Sequence, residues 1–214
     1  MKIYLFLISV FLMSENVISQ QNINQNPLSI GLTIGFEKTD FVGYESYKRD
    51  GGYDDGNFDI LGKDGNGINT KIEIRKSIDG WNAVSLGLGI TISQFNANSI
   101  SGWTGEILDT KKVLIPSLCL HLGHIYNVKY KSNFNISLEN NVALTNNTKY
   151  SDYNLKEINL IWRLGINLEK TISLRNSLIF ELDYGFGLIS LSKNDRYELR
   201  NNALGLNLGI RRQL

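Results

Sequence analysis

The stretch LIFELDYGFGL, residues 178–188, decides the fold. Its even positions are Leu178, Phe180, Leu182, Tyr184, Phe186 and Leu188, whereas Glu181, Asp183, Gly185 and Gly187 are odd. A helix would bring residues three and four apart onto one face and so mix Leu178 with Glu181. A strand sends alternate residues to opposite faces, which separates both carboxylates from a continuous apolar ladder.

The same period extends through the chain. Earlier ladders are Leu28, Ile30, Leu32, Ile34 and Phe36; Ile68, Thr70, Ile72 and Ile74; Val84, Leu86, Leu88, Ile90 and Ile92; and Leu114, Pro116, Leu118, Leu120 and Leu122. Then come Phe134, Ile136, Leu138, Asn140, Val142 and Leu144, and Ile158, Leu160, Trp162, Leu164, Ile166 and Leu168. Leu204, Leu206, Leu208 and Ile210 form the last, beyond the opening stretch. None of these positions is charged, although charged residues make up 20% of the chain. The opposite face collects Lys71, Glu73, Arg75, Glu139, Arg163, Glu181, Asp183 and Arg211, together with many glycines. Pro116 cannot donate to a ladder, so a bulge or kink is expected there.

A soluble sandwich would show the same alternation with its apolar face inside. Three features favour the inverted, membrane arrangement. Most ladders run for roughly 9 to 11 residues, the length of a tilted membrane strand rather than the ~5 to 6 of a globular one. The polar face is rich in Gly, Ser and Asn, which suits a narrow, side-chain-filled lumen. The connections after the first, third, fifth and seventh ladders are longer than the others, as expected for extracellular loops alternating with periplasmic turns.

The amino terminus reads as an address. Lys2 precedes an apolar run from Ile3 to Met13 broken only by Ser9, then Ser14, Glu15 and Asn16. That run is short of the roughly 20 residues a membrane helix needs, so residues 1–19 are expected to be a cleaved signal peptide and 20–214 the folded domain. The lone Cys119 cannot form an internal disulfide. A net charge of +1, with 22 basic and 21 acidic residues interspersed, offers no field for nucleic acid.

These eight ladders, over Leu28 to Leu214, resemble the small eight-stranded outer-membrane β-barrel proteins, such as the membrane domain of OmpA and OmpX. The resemblance implies an all-β, antiparallel up-and-down transmembrane barrel, located in the outer membrane of a Gram-negative cell and expected to be a monomer. It implies a structural or surface-interaction role, with no enzymatic activity. A narrow ion channel and a soluble periplasmic lipid-binding β-barrel are the alternatives.

Candidate sites follow from these faces. Lys71, Glu73, Arg75, Glu139, Arg163, Glu181 and Asp183 would share the lumen as a salt-bridge network, with Arg163 between acidic neighbours, because buried charges persist only when paired. The first long loop, Thr39 to Gly67, holds Tyr44, Tyr47, Tyr53 and Phe58 among glycines and charges, a composition suited to binding an extracellular partner. Asp55, Asn57 and Asp59 open like a calcium loop, but Ile60 replaces the required Gly and Asn66 the terminal Glu, so calcium is not expected. Cys119 and His121 share a face without a third ligand; neither metal nor cofactor is expected, and no catalytic set is visible. Lys38, Lys111, Lys112, Lys149, Lys156, Arg196 and Arg200 fall at the loop ends of the strands, where they would face outer-membrane lipid.

Overall fold

The computed structural model describes residues 28–44, 58–101, 103–131, 134–147, 149–153, 155–193 and 198–214. The expected signal peptide, Tyr47, Tyr53 and Arg196 lie outside them. Eight strands follow in order: β1 (Leu28–Val42), β2 (Phe58–Ser77), β3 (Asn82–Ile100), β4 (Ile107–Lys131), β5 (Phe134–Asn146), β6 (Ile158–Thr171), β7 (Asn176–Gly187) and β8 (Arg200–Gln213). Each pairs antiparallel with the next, and β8 closes on β1. Closure removes both sheet edges where all eight strands pair, so the ladder's backbone groups find partners inside the protein, as a membrane-spanning barrel requires.

The register fixes the shape. The row starting at Ile30 passes through Ile74, Leu86, Leu122, Val142, Trp162, Phe186 and Asn202, and returns to β1 at Asp40, a stagger of 40 − 30 = 10 residues. A stagger of this kind tilts the strands by roughly 35–45°. At the β1–β8 seam the backbones come close: a Cβ on Gly209 would strike Leu32 O, and one on Gly35 would strike Leu206 O. Side chains are excluded at both positions by backbone that cannot move without breaking the ladder.

The alternating apolar face points outward. Leu88 is 60% exposed, Leu208 59% and Leu122 64%. The opposite face is buried, with Glu73 and Glu139 each 3% exposed. The soluble lipid-binding alternative needs these faces exchanged. On β1 the ladder ends at Phe36 and gives way to Lys38 and Asp40; on β8 it ends at Leu204 and gives way to Asn202 and Arg200. At the other rim Lys76, Lys170 and Arg212 mark the lower limit of the belt. Trp81 stacks on Tyr126 beside that rim, with ring centroids 6.2 Å apart, where amphipathic rings suit a membrane–water boundary.

Two expectations change. The first loop does not begin at Thr39: β1 runs to Val42 and β2 starts at Phe58, with Lys38↔Asn66, Thr39↔Gly65 and Asp40↔Asp64 still paired. Above the belt a strand no longer needs apolar residues outside, so the hydrogen-bonded ladder outlasts the sequence signal. Pro116 produces no bulge. It continues the β3 register opposite Ile92, and the β4–β5 ladder starts only at Leu118↔Asn146, so Pro116 stands where β4 has no β5 neighbour. The register shifts lie elsewhere, between Leu61 and Gly65, Ser99 and Ile100, and Lys129 and Lys131.

The turn between β2 and β3 is organised by Asp79. Its Oδ1 accepts from the Trp81 and Asn82 backbone N–H groups, each at 2.7 Å, and the Asn82 side-chain amide donates to Oδ2 at 2.9 Å. Slight burial pushes this carboxyl up, but the donors from Asn82 and Trp81, aided by nearby His124, outweigh it and hold it below its usual range. A lowered folded value means stability that is present above the unfolded carboxyl value and lost as pH falls through the folded one. Asp79→Ala is expected to remove less than about 1 kcal/mol at neutral pH. Urea titrations of both proteins at pH 7 and at low pH check this: the difference should shrink in acid.

Candidate functional site

Inward-facing side chains form two storeys. The lower one, nearer the short turns, is charged and asparagine-rich. Lys71 Nζ lies 3.0 and 3.1 Å from the Glu181 carboxylate oxygens, 3.4 Å from Glu73 and 3.8 Å from Glu139. Arg75 approaches Glu73 at 3.4 Å, Glu169 at 3.9 Å and Glu139 at 4.0 Å. Arg211 bridges Glu73, at 3.1 Å, and Glu169. Asn141 and Asn167 each donate to the Glu139 carboxylate at 2.6 Å. Alternation places these groups in the lumen, and their length lets them meet across it.

Arg163 sits higher. Its guanidinium spans Glu37 and Asp183, with both contacts at 2.6 Å. The acidic neighbours of Arg163 thus come from β1 and β7, and Glu139 on β5 is held instead by asparagines and Lys71. The reason is the neighbouring Gly185: a Cβ there would lie 3.2 Å from Arg163 Cγ, so the bare backbone leaves room for the arginine stem to run across the lumen to β1. Glu37, Glu169 and Arg211 join the seven expected members. All three carry the inward parity of their strands, and parity alone could have found them. The carboxylates (Glu37, Glu73, Glu139, Glu169, Glu181, Asp183) outnumber the cations (Lys71, Arg75, Arg163, Arg211), and amide donors make up the difference.

Within the charged storey, between the Lys71 and Arg163 groups, lies a cavity of about 20 Å³, lined by Glu37, Lys71, Cys119, His121, Asn141, Arg163, Glu181 and Asp183 among others. That is room for about one water molecule, far short of a continuous pore. Cys119 and His121 are both buried in its wall. Among the described residues, no three His, Cys, Asp or Glu side chains are placed to hold a metal ion.

The upper storey is apolar, which sequence reasoning missed. Phe41, Tyr44, Ile60, Leu61, Phe95, Ile115, Tyr150, Leu155, Leu191 and Leu199 are buried together in one cluster. Phe41 stacks on Phe95 with centroids 5.5 Å apart and meets Tyr150 edge-on at 6.2 Å. Phe41, Phe95 and Ile115 sit on the inward parity that lower down carries charge, and this switch was the available signal. Tyr44, expected as an exposed loop contact, belongs to this cluster and is 8% exposed. Phe58 opens β2 rather than lying in a loop.

Outside the belt β2, β3 and β4 continue as a projecting sheet. The β3–β4 ladder runs on to Ser99↔Asp109, whereas β5 leaves β4 at Leu118. Residues 107–117 of β4 therefore have β3 on one side and, among the described residues, no backbone partner on the other. The connecting turn is held by Ser101 N–H to Glu106 O at 2.9 Å and Gly105 N–H to Ser101 O at 2.8 Å. It presents Trp103 at 80% exposure, next to exposed Ile107 and Leu108. Lys111 reaches across to Asp59 at 3.3 Å.

No family model matches the chain, and no curated protein does. Solved structures do. The crystal structure of Neisserial surface protein A has a TM-score of 0.50 and 8% identity, the match covering 86% of this chain and 97% of that one. That of the outer membrane protein OprG from Pseudomonas aeruginosa has a TM-score of 0.51 and 10% identity, over 88% of this chain and 96% of that one. At such identity the likeness concerns the fold, and it extends over nearly the whole barrel. This chain has the fold of the small eight-stranded outer-membrane β-barrels.

Proposed function

We propose that the protein sits in the outer membrane as a closed barrel and presents its projecting β2–β3–β4 sheet to partners outside the cell. One observation carries the reading: β4 extends from Ile107 to Ser117 beyond its β5 neighbour, leaving a strand edge and the Trp103 tip in solvent. Unpaired strand groups are a template for an added strand, and an exposed tryptophan suits a contact anchor. The aromatic cluster beneath holds this sheet in place, so binding would order little that is not already ordered. This reading puts the interaction surface on the β3–β4 hairpin, whereas Tyr47 and Tyr53 of the first loop lie outside the described residues. Lys38 and Arg200, on the outward face just above the belt, support pairing with lipid phosphates at that rim.

The interior is best read as a plug. Its charges are paired across the lumen and capped by an apolar storey, which supports a silent barrel rather than an ion path. The location is tested by membrane fractionation together with gel migration before and after boiling. Outer-membrane recovery and faster migration unboiled are expected; a soluble periplasmic protein without a heat shift would overturn the reading. The role is tested by panning a library of extended peptides against the purified barrel. Enrichment is expected on the wild type and not on a Thr110→Pro, Lys112→Pro variant; equal recovery on both would remove the edge from consideration. Reconstitution into planar bilayers should give no steady conductance.

A further inference from the structure

Inside the lipid-facing belt, two polar side chains interrupt the aliphatic ladders side by side. His124 stands between Leu122 and Tyr126 on β4, and Asn140 between Leu138 and Val142 on β5; the sheet pairs them directly. Both are half-buried and turned outward. Asn140 Oδ1 accepts from the Trp162 indole N–H at 2.5 Å, which leaves the amide hydrogens of Nδ2 for another acceptor. Among the described residues no hydrogen bond reaches the His124 ring, and Asp79 acts on it only as a nearby charge. Polar groups facing hydrocarbon are unfavourable unless paired, and in membranes they commonly pair across an interface.

We infer that His124 and Asn140 form an intramembrane contact with a second copy of this chain. The geometry selects that occupant. The two side chains are directly paired on adjacent strands, Asn140 one short step higher along the tilted row, and two copies in one membrane can be related by a two-fold axis along its normal. Such an axis preserves depth and exchanges left with right, so each copy's Asn140 faces the other's His124. The amide N–H of one then donates to the bare imidazole nitrogen of the other, and the same bond forms twice, as an isologous contact requires. Lipid tails offer no acceptor at this depth. The two copies join along β4 and β5, where the sequence reading expected a monomer.

The inference rests on the membrane placement proposed above, and the test separates the two. In a Cys119→Ala background, which removes the buried thiol, Leu122→Cys is placed beside the contact and Leu208→Cys across the barrel from it. Each protein is first checked for outer-membrane recovery and a heat shift, then treated in the membrane with a short bis-maleimide. Covalent dimers are expected from Leu122→Cys and not from Leu208→Cys. Adding His124→Leu or Asn140→Leu, either of which makes the lipid face more apolar, should lower the yield about tenfold, the scale of the two equivalent intramembrane hydrogen bonds that either substitution removes. Equal yields at the two thiols, or a yield that neither leucine substitution changes, would overturn the dimer. Loss of membrane recovery in the parent would instead overturn the location.

Discussion

Arg163→Met is expected to destabilise the folded barrel by about 3–5 kcal/mol, the range for removing one partner from a buried ion cluster. The guanidinium lies 2.6 Å from both Glu37 and Asp183, and all three groups are buried. Met fills much of the same length, so the loss comes from leaving two carboxylates facing each other without a cation. Asn207 offers Asp183 a single long contact at 3.3 Å, and it cannot replace the arginine. The check is urea unfolding in phospholipid vesicles, followed by tryptophan fluorescence. Adding Glu37→Gln and Asp183→Asn to Arg163→Met should restore more than half of the loss, because neutral amides no longer need a counter-ion. If Arg163→Met unfolds at the wild-type urea concentration, Arg163 does not hold the interior together.

The alternation that identifies the strands also separates the two faces, which is why the closed barrel and most of its inner charges are legible in the sequence. Lys71, Glu73, Arg75, Glu139, Glu181 and Asp183 all lie in the lumen where period two puts them. Their partners were less legible, because pairing across a lumen depends on stagger and on which neighbours are small. Glu37 meets Arg163 from β1, distant in sequence, and does so past Gly185. The strand ends were legible only as far as the lipid reaches. Above Phe36, Ile68 and Ile92 the outward residues turn polar, yet the ladders continue through Asp40↔Asp64 and Ser99↔Asp109. The pattern records the solvent outside, whereas the hydrogen bonds record the fold. The aromatic storey was hidden for a related reason: Phe41, Phe95 and Ile115 occupy positions that a rule of polar inside and apolar outside assigns to polar groups.

The proposed division between a lipid-bathed belt and a water-bathed extension gives the second large effect. Leu88→Arg should destabilise the barrel by about 2–4 kcal/mol, the range for arginine on the lipid face near the bilayer midplane. Leu108→Arg, on the same outward parity but above the belt, should change stability by less than about 0.5 kcal/mol. Burial cannot account for such a difference, since Leu88 is 60% exposed and Leu108 54%. In water an arginine at either position would be well tolerated, so the contrast measures the solvent around each residue and not the packing beneath it. Paired unfolding curves in vesicles decide it. A large loss at residue 88 beside a negligible one at 108 locates the hydrocarbon between the rims marked by Lys76 and Lys38. Equal small effects would mean that the belt is in water, and the charged interior would then need another explanation than a plug across a membrane.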